Sequence, residues 1–257
     1  MLPLTIDTLN AWIAAVMWPF ARIGAMLLAT PLFGNGAIPV RVRVGLAFAL
    51  ALLVAPMVQV PTEVALLSVH GAYVLLQQIL IGVTIGFVLQ LIFSAMTIAG
   101  EAVALSMGLG FASMVDPEQG VSIPLVSHFF AVITTLVFLA MNGHVALIQL
   151  IVDSFRLLPV TEGWLPVDSL WSLVAWGSNM FSNAMLVALP AMCALLVANV
   201  SMGVMTRAAP QLNIFAVGFP MTLTLGFVVL LLALPGVVDQ LLETFDAGFG
   251  LMRALLG

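Results

Sequence analysis

The chain has 257 residues, of which 63% are hydrophobic and only 7% are charged, and its mean hydropathy is +1.25. Because soluble globular domains carry roughly a quarter of charged residues, this composition excludes a soluble fold and predicts an integral membrane protein. The chain has six arginines, no lysine and eleven acidic residues, which gives a net charge of −5. This charge argues against nucleic-acid binding and against binding of anionic lipid through a polybasic segment.

The first predicted helix covers about residues 11–33, long enough to cross a hydrocarbon core at roughly 20 residues per span. Arg22 lies near its middle, where a cation costs on the order of 2.5 to 3.5 kcal/mol unless it finds a partner or water. Two interpretations stay open: a pore-lining or inter-subunit charge, or an arginine paired with a carboxylate or carbonyl at a helix interface. In both, Arg22 faces away from lipid.

The next two apolar segments differ in length. After a glycine- and proline-containing turn at residues 34–43, the second segment, about residues 44–60, is short for a span, whereas the third, about residues 71–99, is longer than one span requires. Gly82 and Gly86 in the third segment have the small-xxx-small spacing that lets two helix backbones approach closely.

The stretch from Gly100 to Gly120 interrupts the apolar sequence with glycines and acids. It is either a large loop between two membrane helices or backbone that dips back among them. Asp116 and Glu118 suggest an acid pair, but a solvated turn and helix start explains them more simply. Met107 and Met114 bracket a glycine-rich bend, either as ordinary core filler or as a flexible apolar seal.

The apolar pattern resumes over about residues 123–151 and is broken at Asn142-Gly143-His144, which predicts a helix end or an unwound point. A further segment, about residues 170–205, should kink at Pro190. Polar side chains along it are typical of a helix face packed on protein rather than lipid; they are Ser178, Asn179, Ser182, Asn183, Asn199 and Ser201.

Residues 207–213 predict a tight polar hairpin, and residues 214–234 form the next apolar run. The tail, residues 238–256, has the periodicity of an amphipathic helix. Its apolar face is Val238, Leu241, Leu242, Phe245, Phe249, Met252 and Leu256, and its polar face is Asp239, Glu243, Asp246 and Arg253.

No motif in the sequence predicts catalysis, a cofactor or a metal site. A metal-binding His-Glu-x-x-His helix, a phosphate-binding glycine loop ending in lysine and a Gly-x-Ser-x-Gly elbow are all missing. A secondary transporter is the main alternative on physical grounds, and it would need matching broken helices and a membrane-embedded carboxylate. Glu101 is the best carboxylate candidate but lies at a segment end, so a conduit protein within a larger assembly fits better.

With these residues in view, the chain resembles the FliR/SctT family, the export-gate membrane component of bacterial flagellar and virulence type III secretion systems. The resemblance covers nearly the whole length. The motifs that carry it are Gly100-Glu101, Met107-Gly108, Asp116-Pro117, Asn142-Gly143-His144 and, most specifically, the run from Asn199 to Pro220. Val145 stands where the family's usual form has a second histidine. The Asn-Ile-Phe-x-x-Gly-Phe-Pro pattern of residues 213–220 favours the flagellar over the virulence branch of the family.

The resemblance implies an all-α membrane protein of long, kinked helical hairpins, folded within a helical hetero-oligomer of the bacterial inner membrane and raised toward the periplasm. Residues 1–169 would form a FliP-like part that includes a plug loop, residues 100–121, and residues 170–257 a FliQ-like hairpin with an amphipathic C-terminal helix. The implied partners are FliP-like, FliQ-like, FlhB-like and FlhA-like components of the flagellar basal body, unfolded flagellar substrates and membrane lipid, with no cofactor.

The same resemblance assigns roles to individual residues. A channel plug would comprise Met107, Gly108, Leu109, Gly110, Phe111 and Met114, with Asp116 and Pro117 holding the exit of the loop. Hairpin-tip and partner contacts would be Arg207, Pro210, Gln211 and Asn213. Arg22 and Glu101 are expected to be buried or inter-subunit charges.

Overall fold

The structure, a computed structural model, describes residues 6–34, 36, 38–58, 68–110, 125–160, 166–209 and 218–257. These residues are almost entirely helical and include no strand, which confirms the all-α prediction. The helices are α1 (Ile6–Ala29), α2 (Pro31–Gly34), α3 (Val40–Val54), α4 (Val69–Ser106), α5 (Leu125–Ala140), α6 (Gly143–Leu157), α7 (Val167–Ala208) and α8 (Phe219–Leu256). A short 3-10 turn, Ala55–Met57, follows α3.

Five of these helices are long and apolar enough to cross a membrane, namely α1, α3 with its 3-10 turn, α4, α7 and α8, and α5 with α6 could supply a sixth, broken span. Helices α4, α7 and α8 have 38, 42 and 38 residues. At about 1.5 Å per residue each exceeds the roughly 30 Å hydrocarbon core by a wide margin. The prediction of overlong helices is therefore confirmed.

Two helices continue past the ends that the sequence predicted. Helix α4 runs on to Ser106 rather than ending near Ala99, because residues 100–106 contain no residue that breaks a helix at this point. Helix α8 is continuous through Pro235, so the predicted C-terminal helix is its second half. A proline removes one backbone hydrogen bond, and α8 nevertheless continues as a helix through this position.

The predicted amphipathicity of the tail is confirmed by burial along α8. Leu241, Phe245, Phe249, Met252 and Leu256 are buried, whereas the four charged residues Asp239, Glu243, Asp246 and Arg253 are exposed. Val238 is half-buried and Leu242 is exposed, so most but not all of the predicted apolar face of the tail is covered within this chain.

Asn142 ends α5 and starts α6. Its backbone is left-handed, with φ at 57°, a conformation that asparagine tolerates better than most residues. Its carbonyl accepts the main-chain N–H groups of Val145 and Ala146 at 2.9 and 3.1 Å. The Asn-Gly-His motif is therefore a helix end followed at once by a new helix start.

The chain forms two compact units, one from residues 1–91, 142–176 and 247–257 and the other from residues 92–141 and 177–246. These units are called unit 1 and unit 2 below. The family resemblance divides the chain differently, between residues 169 and 170, because it compares each part with another export protein. That division stays a prediction, although α7 begins close to it.

In unit 1, α1 packs against α3 and α4. Phe20 meets Phe48 edge to face, with ring centroids 6.3 Å apart. A methyl group added at Gly86 would lie 2.6 Å from the Cβ of Ala29, and one added at Gly82 would collide with the carbonyl oxygen of Arg22. The close helix approach predicted from the two glycines is confirmed.

In unit 2, an aromatic cluster joins α4, α5 and α8. The rings of Phe93, Phe138 and Phe245 have pairwise centroid distances of 6.2, 6.2 and 5.4 Å. About two helical turns after Phe93 on α4, Gly100 lies directly on α5. A Cβ added at Gly100 would be 2.6 Å from the Cα of Ser127. Residues 100–106, predicted to begin the plug loop, are therefore instead the tightly packed end of α4.

We predict that Gly82→Ala destabilises the protein, because the added methyl group meets backbone that cannot rotate away. Overpacking of this kind costs about 1–3 kcal/mol. Gly45→Ala in α3 is the matched control: nothing lies within 4 Å of its added Cβ, and alanine favours the helix. Thermal unfolding of the two purified variants should show a lower midpoint for Gly82→Ala alone, and equal midpoints would contradict the contact.

Candidate functional site

The first candidate site is the end of α4, where the chain enters the remainder of the predicted plug loop. Gly108 has φ at +83°, in the left-handed region that favours glycine. Its N–H donates to the carbonyl of Leu105, and the N–H of Leu109 donates to the carbonyl of Ala104, both at 3.0 Å. This pair of bonds is the Schellman motif, in which a glycine terminates a helix and turns the chain aside. Gly108 is thus the point at which the chain leaves α4.

Met107, immediately before that glycine, is fully buried. Its side chain lies on the backbone of Gly226 in α8: a Cβ added at Gly226 would be 2.6 Å from both Cγ and Cε of Met107. The sequence suggested Met107 for the sealing surface of the plug loop. That role stays a prediction, and in this chain the Met107 side chain is buried in the core of unit 2.

Asn199 of α7 also contacts this helix end. Its side-chain Nδ2 donates to the carbonyl oxygen of Ser106 at 3.2 Å. Asn199 is the first residue of the run that carries the family resemblance most specifically, and Ser106 is the last residue of α4. Two motifs that are far apart in sequence therefore meet at one point.

The structure describes some of the remaining predicted site residues and leaves others undescribed. Leu109 and Gly110 are half-buried at the helix end, and Glu101 is exposed on α4. Arg207 is exposed in the last turn of α7. Seven predicted site residues lie outside the described residues, namely Phe111, Met114, Asp116, Pro117, Pro210, Gln211 and Asn213.

The second candidate site surrounds Arg22 in unit 1. The side chain is fully buried and is hydrogen-bonded by all three guanidinium nitrogens. Nε donates to Oε1 of Gln78 at 2.8 Å, Nη1 donates to both the carbonyl oxygen and Oγ of Ser154 at 2.8 and 2.9 Å, and Nη2 donates to the carbonyl oxygen of Leu158 at 2.9 Å. The guanidinium also lies over the ring of Phe155, 4.1 Å from its centroid.

No carboxylate pairs with Arg22 among the residues that the structure describes. Its main-chain acceptors are instead the carbonyls of Ser154 and Leu158 at the C-terminal end of α6, where the helix dipole is negative. The Ser154 carbonyl also accepts the N–H of Leu158, at 2.9 Å. Arg22 of α1 therefore caps α6 from a different helix. Of the two interpretations from sequence, this geometry matches an arginine paired with carbonyls at a helix interface.

Sequence reasoning did not identify the partners of Arg22. Gln78 was a usable signal, because an amide side chain inside a long apolar helix needs a polar partner. Ser154 and Leu158 carried no such signal, since their carbonyls become acceptors only through the position of the end of α6. Elsewhere in the described chain, no group of three or more metal-ligating side chains is close enough to hold an ion.

The sequence matches the family described as "Bacterial export proteins, family 1" over residues 13–248. It is similar to the Flagellar biosynthetic protein FliR of Pectobacterium carotovorum subsp. carotovorum, with 40% identity over 97% of this chain and 95% of that protein. The Flagellar biosynthetic protein FliR of Escherichia coli (strain K12) is 34% identical over 100% of this chain and 98% of its own. The FliR of Bacillus subtilis (strain 168) is 28% identical, covering 94% of both chains.

We predict that Arg22→Met lowers the free energy of unfolding by about 3 kcal/mol, because it leaves the oxygens of Gln78 and Leu158 buried without donors. For a chain of this size that corresponds to a fall of roughly 6 to 12 °C in the midpoint of thermal unfolding. Arg22→Lys should be intermediate, since one ammonium cannot reach acceptors on two helices as a planar guanidinium does.

Arg41→Met is the matched control for this prediction, because it makes the same change at an exposed arginine of α3. Its unfolding midpoint should equal that of the parent protein. If Arg22→Met and Arg41→Met unfold at the same temperature, the capping role of Arg22 is wrong.

Proposed function

Since this chain belongs to the bacterial export proteins, family 1, we propose that it is a structural and gating subunit of a flagellar type III protein export gate. The observation that carries the proposal is the similarity to flagellar biosynthetic proteins over nearly the full length of both chains. These relatives favour the flagellar over the virulence branch. The subunit would be non-enzymatic and would form part of the conduit through which unfolded flagellar proteins leave the cell.

The exposed surface of the helices supports assembly with other subunits. In the most apolar stretch of α8 only 17% is buried within the chain, and in the most apolar stretch of α7 only 28% is buried. Lipid can cover apolar side chains, but α7 also exposes Asn179 and Ser182 within its apolar length. Because polar side chains on membrane helices are usually covered by protein, this face fits a neighbouring subunit better than lipid.

The partners we propose are FliP-like, FliQ-like, FlhB-like and FlhA-like components in the inner membrane at the flagellar basal body. The exposed Arg207 at the end of α7, with Pro210, Gln211 and Asn213 after it, would form the hairpin tip that meets the FlhB-like component. Residues 1–169 would act as the FliP-like part and residues 170–257 as the FliQ-like part.

The glycine-rich plug loop would close the channel before export. The turn at Gly108 supports this proposal, because it directs the chain away from the axis of α4 at the start of the loop. Leu109, Gly110, Phe111 and Met114 would supply apolar bulk that excludes water and ions and can still move aside. Asp116 and Pro117 would hold the exit of the loop, and Glu101 would face a neighbouring subunit.

Co-expression tests the assembly part of the proposal. Native mass spectrometry of the purified protein, expressed with candidate FliP-like and FliQ-like subunits, should detect a complex that contains all three. The reason is that the exposed apolar and polar helix faces need partners. A stable monomer that binds neither subunit would contradict the proposal, as would solute transport by the protein alone in liposomes.

Deletion tests the sealing part. Removing residues 108–114 should raise the ion conductance of membranes that contain the assembled gate, because the deleted residues would no longer block the channel. The parent gate, at equal amounts of assembled complex, is the control. Unchanged conductance would rule out sealing as the role of the plug loop.

A further inference from the structure

The C-terminal end of α4 is held by side chains and backbone of α7 and α8, the two helices of the predicted FliQ-like hairpin. We infer that Gly226 and Asn199 position the plug loop by fixing the point at which the chain leaves α4. This inference rests on the proposed sealing function, and it names residues of the hairpin as the seat of the loop. By the seat of the loop we mean two contacts, the packing of Met107 on Gly226 and the hydrogen bond from Asn199 to Ser106.

Gly226 provides the first half of the seat. Met107 lies so close to the backbone of α8 that an added Cβ would be 2.6 Å from its Cγ, 2.6 Å from its Cε and 3.0 Å from its Sδ. The Cγ atom is near the root of the side chain, so a rotation of the tip alone does not make room. Alanine at position 226 therefore has to displace Met107 itself, which is the residue directly before the turn.

Asn199 provides the second half, and the backbone carbonyls of α4 show why it is needed. The last carbonyls of a helix lack intrahelical partners. Here three of them accept main-chain N–H groups of Met107, Gly108 and Leu109. The carbonyl of Ser106 is the one that follows, and it accepts from the Nδ2 of Asn199. The side chain from α7 thus completes the hydrogen bonding of the helix end.

Both contacts lie within unit 2, and both act on the two residues directly before Gly108. Because Gly108 has the left-handed φ that turns the chain, a shift of Met107 or Ser106 changes the direction in which the loop departs. The positions of α7 and α8 therefore determine where the chain leaves α4.

The test uses the assembled gate in lipid vesicles, with ion leak measured by a fluorescent dye and assembly checked by native mass spectrometry. Gly226→Ala should raise the leak above that of the parent gate, because the methyl group is forced into a filled contact. Gly236→Ala is the matched control on the same helix, because nothing lies within 4 Å of its added Cβ, and it should leave the leak unchanged.

Asn199→Ala tests the second contact without adding volume and should also raise the leak. Ser172→Ala on the same helix should not, because that exposed hydroxyl donates to the carbonyl of Asp168 within its own helix. Met107→Ala breaks the first contact from the other side. Combined with Gly226→Ala it should lower the leak below that of Gly226→Ala alone, because truncating Met107 removes the atoms with which the new methyl group collides. Additive effects would overturn the seat, as would parent-level leak in both Gly226→Ala and Asn199→Ala.

Two comparisons separate this inference from the proposed function. If deletion of residues 108–114 raises the leak but Gly226→Ala and Asn199→Ala do not, only the seat is wrong. If the deletion has no effect, sealing itself is wrong, and hydrogen exchange then decides the seat. Amides of residues 104–110 should exchange faster in Gly226→Ala than in Gly236→Ala, and equal exchange would overturn the contact.

Discussion

The hydrogen bonds of the buried Arg22 guanidinium are the interaction on which unit 1 depends. They link α1 to α4 through Gln78 and to the end of α6 through Ser154 and Leu158. Burying a cation without a carboxylate is costly, but aligned carbonyls at a helix C-terminus carry partial negative charge and are short of donors. One side chain therefore satisfies two requirements: the arginine needs acceptors, and the helix end needs donors.

The same helix is held by shape as well as by hydrogen bonds. The backbone of Arg22 lies against Gly82, so α1 approaches α4 closely enough for the guanidinium to reach Gln78 one turn away. A larger residue at position 82 would separate the helices and lengthen those bonds. The glycine and the arginine thus form one arrangement, in which close backbone packing brings the charge to its acceptors.

The sequence was sufficient to predict features that depend on local composition. Apolar length predicted the spans, the spacing of Gly82 and Gly86 predicted a close helix contact, and the position of Arg22 predicted a side chain turned away from lipid. The end of α4 and the continuity of α8 through Pro235 were predicted less well, because a glycine or proline breaks a helix only where the backbone conformation or packing requires it. Partners such as Gly226 for Met107 depend on tertiary packing, and no local pattern indicates them.

The contact between Met107 and Gly226 joins two residues of a single polypeptide. An intramolecular contact forms at a fixed effective concentration, which the chain between the two residues sets and which no other protein dilutes. Its occupancy is therefore independent of how much of any neighbouring subunit the cell makes. A chain that carries both the loop and its support can establish this contact during its own folding, before the stoichiometry of the surrounding assembly is complete.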